Sequence, residues 1–240
     1  MSGRPKLHTH LCDMLEIDYP IMLAGMGSMG KATPPALVAA VSNSGGMGVI
    51  GGAGLEPETI RQKIRETRKL TDKPIGVDLL LPVNLDTNAE PTRTTLRQQI
   101  ERDYPKHYAF MREQLEKHGI AEVQVASETV VSVDQTRAQV EVVLEEDVQV
   151  FAAGLGDPSW IVPMAHEKGM TVVGLVGSPR NAERQVAAGC DIVVAQGYEA
   201  GGHTGKIANF PLIPQVVDAV SPVPVVAAGG MADGRGITAA

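Results

Sequence analysis

Residues 171–196 read TVVGLVGSPRNAERQVAAGCDIVVAQ and contain the pattern that decides the fold. Two short aliphatic runs, Thr171–Val176 and Asp191–Gln196, flank Pro179–Ala188, an amphipathic stretch of helical length with a proline in its first turn. Short aliphatic runs bounded by Gly, Pro or Asp are typical of buried strands. A strand, a helix and a strand in this order predict a right-handed crossover between two parallel strands.

The same alternation extends over most of the chain and indicates an α/β fold built on one parallel sheet. Aromatic residues make up only 3% of the 240, so the core must be aliphatic. The other predicted strands are Pro20–Met26, Met47–Gly52, Pro74–Leu81, Val148–Leu155 and Pro224–Gly230, and the other predicted helices are Pro34–Ser44, Pro57–Leu70, Pro158–Lys168 and Phe210–Val220.

One long interval interrupts the alternation. Residues 83–147 hold no convincing strand, and the charged stretch Thr92–Lys117 has a helical pattern that breaks at Pro105. We interpret residues 83–147 as a helical insertion after the third predicted strand, either a cap over an active site or a solvated surface excursion. Asp134–Glu146 is predicted to be the helix that returns the chain to the sheet.

The number of strands bears on how the length is interpreted. A (β/α)8 barrel takes about 250 residues, and the chain has 240, yet the insertion uses many of them and only seven strands are predicted. A barrel without its eighth strand would leave sheet edges open, which proteins rarely tolerate. We therefore expect a single TIM-type barrel domain that lacks its eighth β/α unit, in a chain that is a truncated or incompletely recorded version of a longer one.

Composition and charge exclude several classes of protein. The net charge is −7, from 21 basic and 28 acidic residues, and no basic stripe is present, so nucleic acid is not an expected partner. Cys12 and Cys190 are too few for a disulfide framework and are predicted to be free buried thiols. The histidines show no metal-ligand spacing, so no metal site is predicted. Without a long apolar run we expect no membrane partner and a cytoplasmic location.

The segment Ala195–Lys206, AQGYEAGGHTGK, is the most informative candidate site. It begins at the carboxyl end of a predicted strand, where α/β folds bind their ligands. Gly201 and Gly202 would let the backbone approach a ligand, and Gln196 offers both a donor and an acceptor. His203 is the only histidine in such a loop. A neutral imidazole can take a proton near pH 7, although a loop histidine is more often a surface residue.

A second glycine pair, Gly229 and Gly230, ends the last predicted strand, and Asp233 is placed to cap the helix that follows. Glycine pairs after late strands, followed by a helix N-terminus, are how barrels bind phosphate groups. A tight turn between strand and helix is the simpler interpretation. Since two such pairs follow consecutive strands, we favour a phosphate site.

Asp78 is a lone carboxylate among the aliphatic residues of the predicted strand Pro74–Leu81. An ionised carboxylate buried without a partner would be costly. We therefore expect Asp78 either to face a polar cavity at the mouth of the barrel or to have a partner.

Five motifs resemble those of a known family: DYPIMLAGM at 18–26, AAVSNSGGMGVIGG at 39–52, TDKPIGVDL at 71–79, QGYEAGGHTG at 196–205 and VPVVAAGGMADGRG at 223–236. The chain resembles the nitronate monooxygenases, formerly called 2-nitropropane dioxygenases, which are FMN-dependent TIM barrels. The EAGGH element is the specific one, and the resemblance is weakest over residues 83–147.

The resemblance implies FMN as cofactor and roles for several residues. Flavin contacts are implied for Ala24, Gly25, Met26 and Gln196, phosphate contacts for Gly201, Gly202, Gly229 and Gly230, and the role of catalytic residue for His203. Asp78 stands where the family usually has asparagine. An amide can donate a hydrogen bond to the flavin whereas an ionised carboxylate cannot, so either Asp78 is protonated or the flavin affinity and potential differ from the usual.

The activity implied by the resemblance is oxidation of alkyl nitronates or nitroalkanes with O2 to a carbonyl compound and nitrite. The segment GGHTGK, with Lys206, is also similar to FMN-dependent enoyl-ACP reductases, so NAD(P)H-dependent reduction of an enoyl thioester is the alternative. A non-catalytic flavin-binding protein is the third hypothesis. The expected partners are small molecules, and a homodimer is left open.

Overall fold

Six parallel strands form one sheet in the computed structural model, and each strand pairs with the next along the chain. The structure describes residues 7–26, 31–81, 92–121, 130, 132–203 and 205–240. The strands are β1 (Gly48–Gly51), β2 (Ile75–Leu80), β3 (Val150–Gly154), β4 (Thr171–Val176), β5 (Ile192–Gln196) and β6 (Val225–Ala228). Each lies within a run that the sequence predicts to be a strand. Their sequential, parallel order is that of a half-barrel.

Helices connect the strands as predicted, and five of the described helices have a proline in the first turn, where its missing N–H is tolerated. The helices are α1 (His10–Leu15), α2 (Pro35–Asn43), α3 (Pro57–Arg68), α4 (Arg93–Asp103), α5 (Pro105–Lys117), α6 (Val133–Glu145), α7 (Val162–Glu167), α8 (Pro179–Ala187), α9 (Asn209–Val220) and α10 (Gly234–Ala239). The helix predicted over Pro158–Lys168 is shorter than expected, because only its second half is α-helical.

Side chains alternate between the two faces of the sheet, as the pleat requires. On β3, Phe151 and Ala153 pack in the outer apolar core beneath the helices, whereas Val150 and Ala152 belong to the inner core. The outer core also holds Val140 and Val143 of α6, so this helix returns the chain to the sheet as predicted. The sheet therefore has an inner face on which side chains from successive strands meet.

Helix α1 was not predicted from the sequence. Its Leu11, Cys12 and Leu15 are buried in the inner core against residues such as Met47 and Val49. The helix has only six residues, and the polar residues that flank it leave too short an apolar pattern for a helix to be predicted from the sequence. Cys12 is a free buried thiol, and so is Cys190, as the sequence predicts.

The prediction of a full strand over Pro20–Met26 is wrong. Only Met22 forms a bridge, to Met47, with the Leu23 N–H donating to the Met47 carbonyl at 2.9 Å. Ile21 and Met26 are 40% and 42% exposed, so the run lacks the continuous burial that a central strand has. The segment nevertheless lies parallel beside β1, at the position expected for the first strand of a barrel.

Residues 84–135 form a compact unit separate from the rest of the chain. Its described helices, α4 and α5, meet at Pro105, where the sequence predicts a break. Thr92 begins α4 with a reciprocal side-chain and backbone capping box to Thr95. Neither helix has a buried residue. Parts of the predicted insertion, at 83–91, 122–129 and 131, lie outside the described residues.

None of the helices among the described residues is long and apolar enough to cross a membrane. The sheet formed by these residues ends at β6, which pairs with β5. An eighth β/α unit therefore remains an expectation that the sheet does not test.

Candidate functional site

Two polar side chains lie on the inner face of the sheet near its carboxyl edge. Val77 and Leu79 pack in the outer core, so Asp78 between them lies on the inner face of β2. Ala195 packs outward on β5, so Gln196 lies on the same inner face at the end of that strand. Both residues therefore line the side of the sheet where the loops at the carboxyl ends of the strands begin.

The segment Ala24–Met26 passes very close to β1 and β2. A Cβ atom added to Gly25 would lie 2.3 Å from the Asp78 Cβ, and one added to Gly51 would lie 2.7 Å from the Met26 carbonyl oxygen. Thr33, which is fully buried, accepts a hydrogen bond from the Gly51 N–H at 2.9 Å and donates to the Met26 carbonyl at 3.4 Å. The two glycines and this threonine hold the backbone of the segment beside Asp78.

Asp78 has an unusual environment. Its Oδ1 atom is buried and has no hydrogen-bond partner in the part of the chain that the structure describes. Burial raises the pKa of Asp78 from the ordinary 3.8 to about 7, because the charged form loses its hydration. The carboxyl group is therefore held near its protonation midpoint at neutral pH.

The loop after β5 carries the residues that the sequence singles out. The Gln196 amide donates to the Gly201 carbonyl at 3.2 Å, which ties the strand end to the loop. Gly201 and Gly202 have open space where a side chain would be, and Gly202 has a left-handed φ of +74°. His203 is exposed, and within the described ranges no residue forms a hydrogen bond with its ring. Both ring nitrogens are thus accessible to a substrate.

Asn209 joins this loop to the end of β6. Its Oδ1 accepts a hydrogen bond from the Gly197 N–H at 2.8 Å, and its Nδ2 donates to the Ala228 and Gly229 carbonyls at 3.0 and 2.5 Å. Asn209 is not among the site residues predicted from the sequence. An asparagine at the start of the apolar helix α9 is a helix-start signal in the sequence, but its partners, twelve to twenty residues away, are visible only in the fold.

The second glycine pair lies against the β5 loop. Gly229 and Gly230 have φ values of +105° and +74°, and a Cβ on Gly229 would lie 2.6 Å from the Ala200 backbone nitrogen. Side chains would therefore be strained and would push the two loops apart. Asp233 caps α10 by accepting from the Arg235 N–H at 2.9 Å, as predicted.

Glu199 occupies the N-terminus of α9. Both of its carboxylate oxygens accept from the Asn209 N–H, at 3.1 and 3.0 Å, so a carboxylate already lies at the N-terminus of α9. The N–H groups of Gly201, Gly202 and Gly230 have no acceptor among the described residues. These three N–H donors, and not the N-terminus of α9, are available to an anion.

Replacing Asn209 with alanine should lower the free energy of unfolding by about 1 to 3 kcal/mol, because the carbonyls of Ala228 and Gly229 lose their donor. The measurement is urea denaturation without ligand. Asn181→Ala is the matched control, since Asn181 is exposed in the first turn of α8 and should change stability by at most about 0.5 kcal/mol. Equal losses in the two variants would contradict the role of Asn209.

The structure thus brings the predicted residues together in two groups. Ala24, Gly25 and Met26 lie beside Asp78, and Gln196, Gly201 and Gly202 lie on the loop that contacts Gly229 and Gly230 and continues to His203. No hydrogen bond between described residues links the two groups directly. They share the carboxyl edge of one sheet. No group of three or more His, Cys, Asp or Glu side chains in the described ranges is arranged to hold a metal ion.

Comparison with known proteins identifies relatives over nearly the whole chain. The sequence model of the nitronate monooxygenase family matches residues 8–240. The Mycobacterium tuberculosis protein Rv1533, named a monooxygenase, is 39% identical over 85% of this chain and 56% of its own length. A Staphylococcus aureus protein named a nitronate monooxygenase is 33% identical over 95% of this chain and 62% of its own length. The chain therefore spans about three-fifths of the length of these relatives.

Solved structures show the same similarity. FabK from Thermotoga maritima is 33% identical with a TM-score of 0.72, and the match covers 98% of this chain and 58% of FabK. The nitroalkane oxidase from Streptomyces ansochromogenes is 27% identical with a TM-score of 0.73, over 96% of this chain and 63% of its own. With its match over residues 8–240 and the glycine-rich loops at the ends of β5 and β6, the chain belongs to the nitronate monooxygenase family.

Proposed function

We propose that this chain carries the flavin and substrate site of an FMN-dependent oxidoreductase that converts alkyl nitronates or nitroalkanes, with O2, to a carbonyl compound and nitrite. The observation that carries the proposal is the link that Asn209 makes between Gly197, at the start of the loop after β5, and the carbonyls of Ala228 and Gly229 at the end of β6. This arrangement puts unpaired N–H donors and an accessible imidazole on one loop assembly. The family match and the similarity to a nitroalkane oxidase support the same activity.

The residues present fit FMN in two respects. Gly201 and Gly202 have open space beside them, and the free N–H groups of Gly201, Gly202 and Gly230 suit a phosphate group. Ala24 and Met26 are exposed beside Asp78 and offer an apolar surface for a flat ring. We therefore assign the phosphate to the two glycine pairs, and the ring to Ala24, Gly25, Met26, Asp78 and Gln196.

Bound FMN would supply the electron acceptor, which protein side chains lack. His203 would take the proton from the carbon next to the nitro group of a neutral nitroalkane, or would hold the anion of a nitronate that has already lost this proton. The Gln196 amide, fixed by its bond to the Gly201 carbonyl, would orient the ring. The tie through Asn209 would keep His203 and the glycine pairs in a constant relative position.

Reduction of an enoyl thioester is the second candidate. FabK, an enoyl-ACP reductase, has the same fold at 33% identity. Lys206 is exposed in the same loop as His203, three residues further on, where its ammonium group could meet a thioester substrate or a nicotinamide nucleotide. Such a reductase would take its electrons from NAD(P)H instead of from the nitronate.

The decisive experiment is anaerobic reduction of the purified chain reconstituted with FMN. We expect a primary alkyl nitronate to bleach the flavin absorbance without NADH, because the carbanion itself supplies the electrons. Bleaching by NADH but not by the nitronate would instead identify the reductase. A yellow protein that is inert to nitronates, enoyl thioesters and NAD(P)H would contradict both and support a non-catalytic flavin-binding role.

A further inference from the structure

The carboxyl group of Asp78 is buried and takes no part in the proton transfer proposed above. Its Oδ1 is buried without a hydrogen bond among the described residues, although the residue lies on the inner face of β2. Native proteins rarely leave such an atom unsatisfied, so a group absent from the free chain is expected to complete it. Gly25 lies directly against the side chain, on the segment to which the flavin ring is assigned.

Among the described residues, the elements packed around Asp78 offer no charge to balance an ionised carboxylate. In the strand register, Asp78 lies beside Gly51 of β1 and Ala152 of β3, and neither strand contains a titratable side chain. The segment Ile21–Met26 contains none either. The titratable side chains at the carboxyl edge include Glu199, His203 and Lys206 of the loop after β5. None of them contributes to the raised pKa of Asp78.

We propose that Asp78 donates a hydrogen bond from its protonated carboxyl group to the bound flavin ring, so that binding of FMN takes up a proton wherever this group is ionised in the free protein. This inference rests on the proposed function, because it takes FMN as the ligand. A neutral carboxyl group has one O–H donor, whereas the ionised form is an acceptor only. An acceptor on the ring would satisfy that donor, and no charge would then remain buried.

The direction of the pH dependence follows from the state of the free chain. Burial raises the pKa of Asp78 to about 7, so the group is already protonated below that pH, and FMN binds there without proton uptake. Above it, each further pH unit should weaken binding up to about tenfold, because the proton must first be taken from solvent. Between pH 7 and 9 the dissociation constant of FMN should rise about 50-fold by the same linkage.

Flavin fluorescence quenching at pH 7, 8 and 9 measures this effect without enzymatic activity. Over this range the FMN phosphate, whose second pKa is about 6, remains doubly ionised. Riboflavin, which has no phosphate, should show the same pH dependence. In Asp78→Asn the amide donates without taking up a proton, so its dissociation constants should change less than about threefold. Asp218→Asn, an exposed change on α9, should behave like the unmodified chain.

Calorimetry in two buffers of different ionisation enthalpy counts the protons directly. At pH 8 we expect about 0.9 proton taken up per FMN by the unmodified chain and none by Asp78→Asn. Affinity that is independent of pH, or an equal pH dependence in the two proteins, would overturn the role of Asp78 and leave the proposed function intact. Failure of both proteins to bind FMN at any pH would overturn the proposed function and, with it, this inference.

Discussion

Replacing His203 with asparagine should slow turnover of a neutral nitroalkane by about 10²- to 10⁴-fold, which is the usual contribution of a general base. The imidazole is the group assigned to take the proton from the carbon next to the nitro group. Asparagine keeps a similar size and a hydrogen-bond donor but cannot take that proton near neutral pH. The exposed His203 has no bonded partner within the described ranges, so the exchange should not disturb the fold.

The rate with a pre-formed nitronate shows whether His203 acts as a general base or only positions the anion. It arrives with the proton already removed, so its rate in His203→Asn should fall by less than about tenfold. Both rates are measured as oxygen consumption and nitrite release at saturating substrate. Similar losses for both substrates would mean that His203 positions the anion and is not the base.

His166→Asn is the matched control. His166 lies at the end of α7 and bonds Asp191, just before β5, at 2.9 Å, so it lies at the opposite, amino edge of the sheet. Its replacement should leave both rates unchanged. A loss in this variant that matches the loss in His203→Asn would indicate a general effect on the fold and would contradict the assignment of the base.

The sequence predicts much of the fold because the buried strands are short aliphatic runs with clear limits. All six strands and the helices between them follow from this pattern, and so does the break at Pro105 between α4 and α5. The pattern fails for Pro20–Met26, where the run is aliphatic but partly exposed and forms only the bridge from Met22 to Met47. The pattern of aliphatic residues in a run does not show which neighbouring helix or strand will bury it.

The candidate site was predictable only in part, for a similar reason. Glycine pairs, a loop histidine and a carboxylate among aliphatic residues can be recognised in a linear sequence. Close backbone approaches cannot, and so the roles of Thr33, Gly51 and Asn209 went unpredicted. Thr33 lies outside every motif, yet it bridges Met26 to β1. The position of Glu199 at the start of α9 likewise depends on how the loop folds back.

Replacing Asp78 with asparagine should stabilise the fold. At pH 8 and without FMN, the free energy of unfolding of Asp78→Asn should exceed that of the unmodified chain by up to about 4 kcal/mol. The cause is the buried Oδ1, which costs free energy once the carboxyl group is ionised. Asparagine fills nearly the same volume and is never charged. A buried amide also loses some hydrogen bonds to water, so the gain could be as small as about 2 kcal/mol.

The test is how the difference in the free energy of unfolding between the two proteins changes with pH. The pKa of Asp78 is about 7 in the folded chain against an ordinary 3.8, so between these values the folded state holds a proton that the unfolded state has released. Unfolding then releases a proton, and raising the pH favours the unfolded state. The destabilisation by Asp78 is thus absent near pH 4, grows as the pH rises, and is complete above about pH 7.

Urea denaturation of both proteins at pH 5, 6, 7 and 8 gives the difference directly, since all other titrating groups are common to the two chains. We expect it to increase with pH by about 1.4 kcal/mol per unit up to pH 7 and then to level off. Asp218→Asn, whose carboxylate is exposed, should show no such trend. A difference that stays constant from pH 5 to 8 would mean that Asp78 titrates alike in the folded and unfolded chains. Its carboxyl group would then have a partner in the folded protein, and a protonated donor facing the flavin would no longer follow.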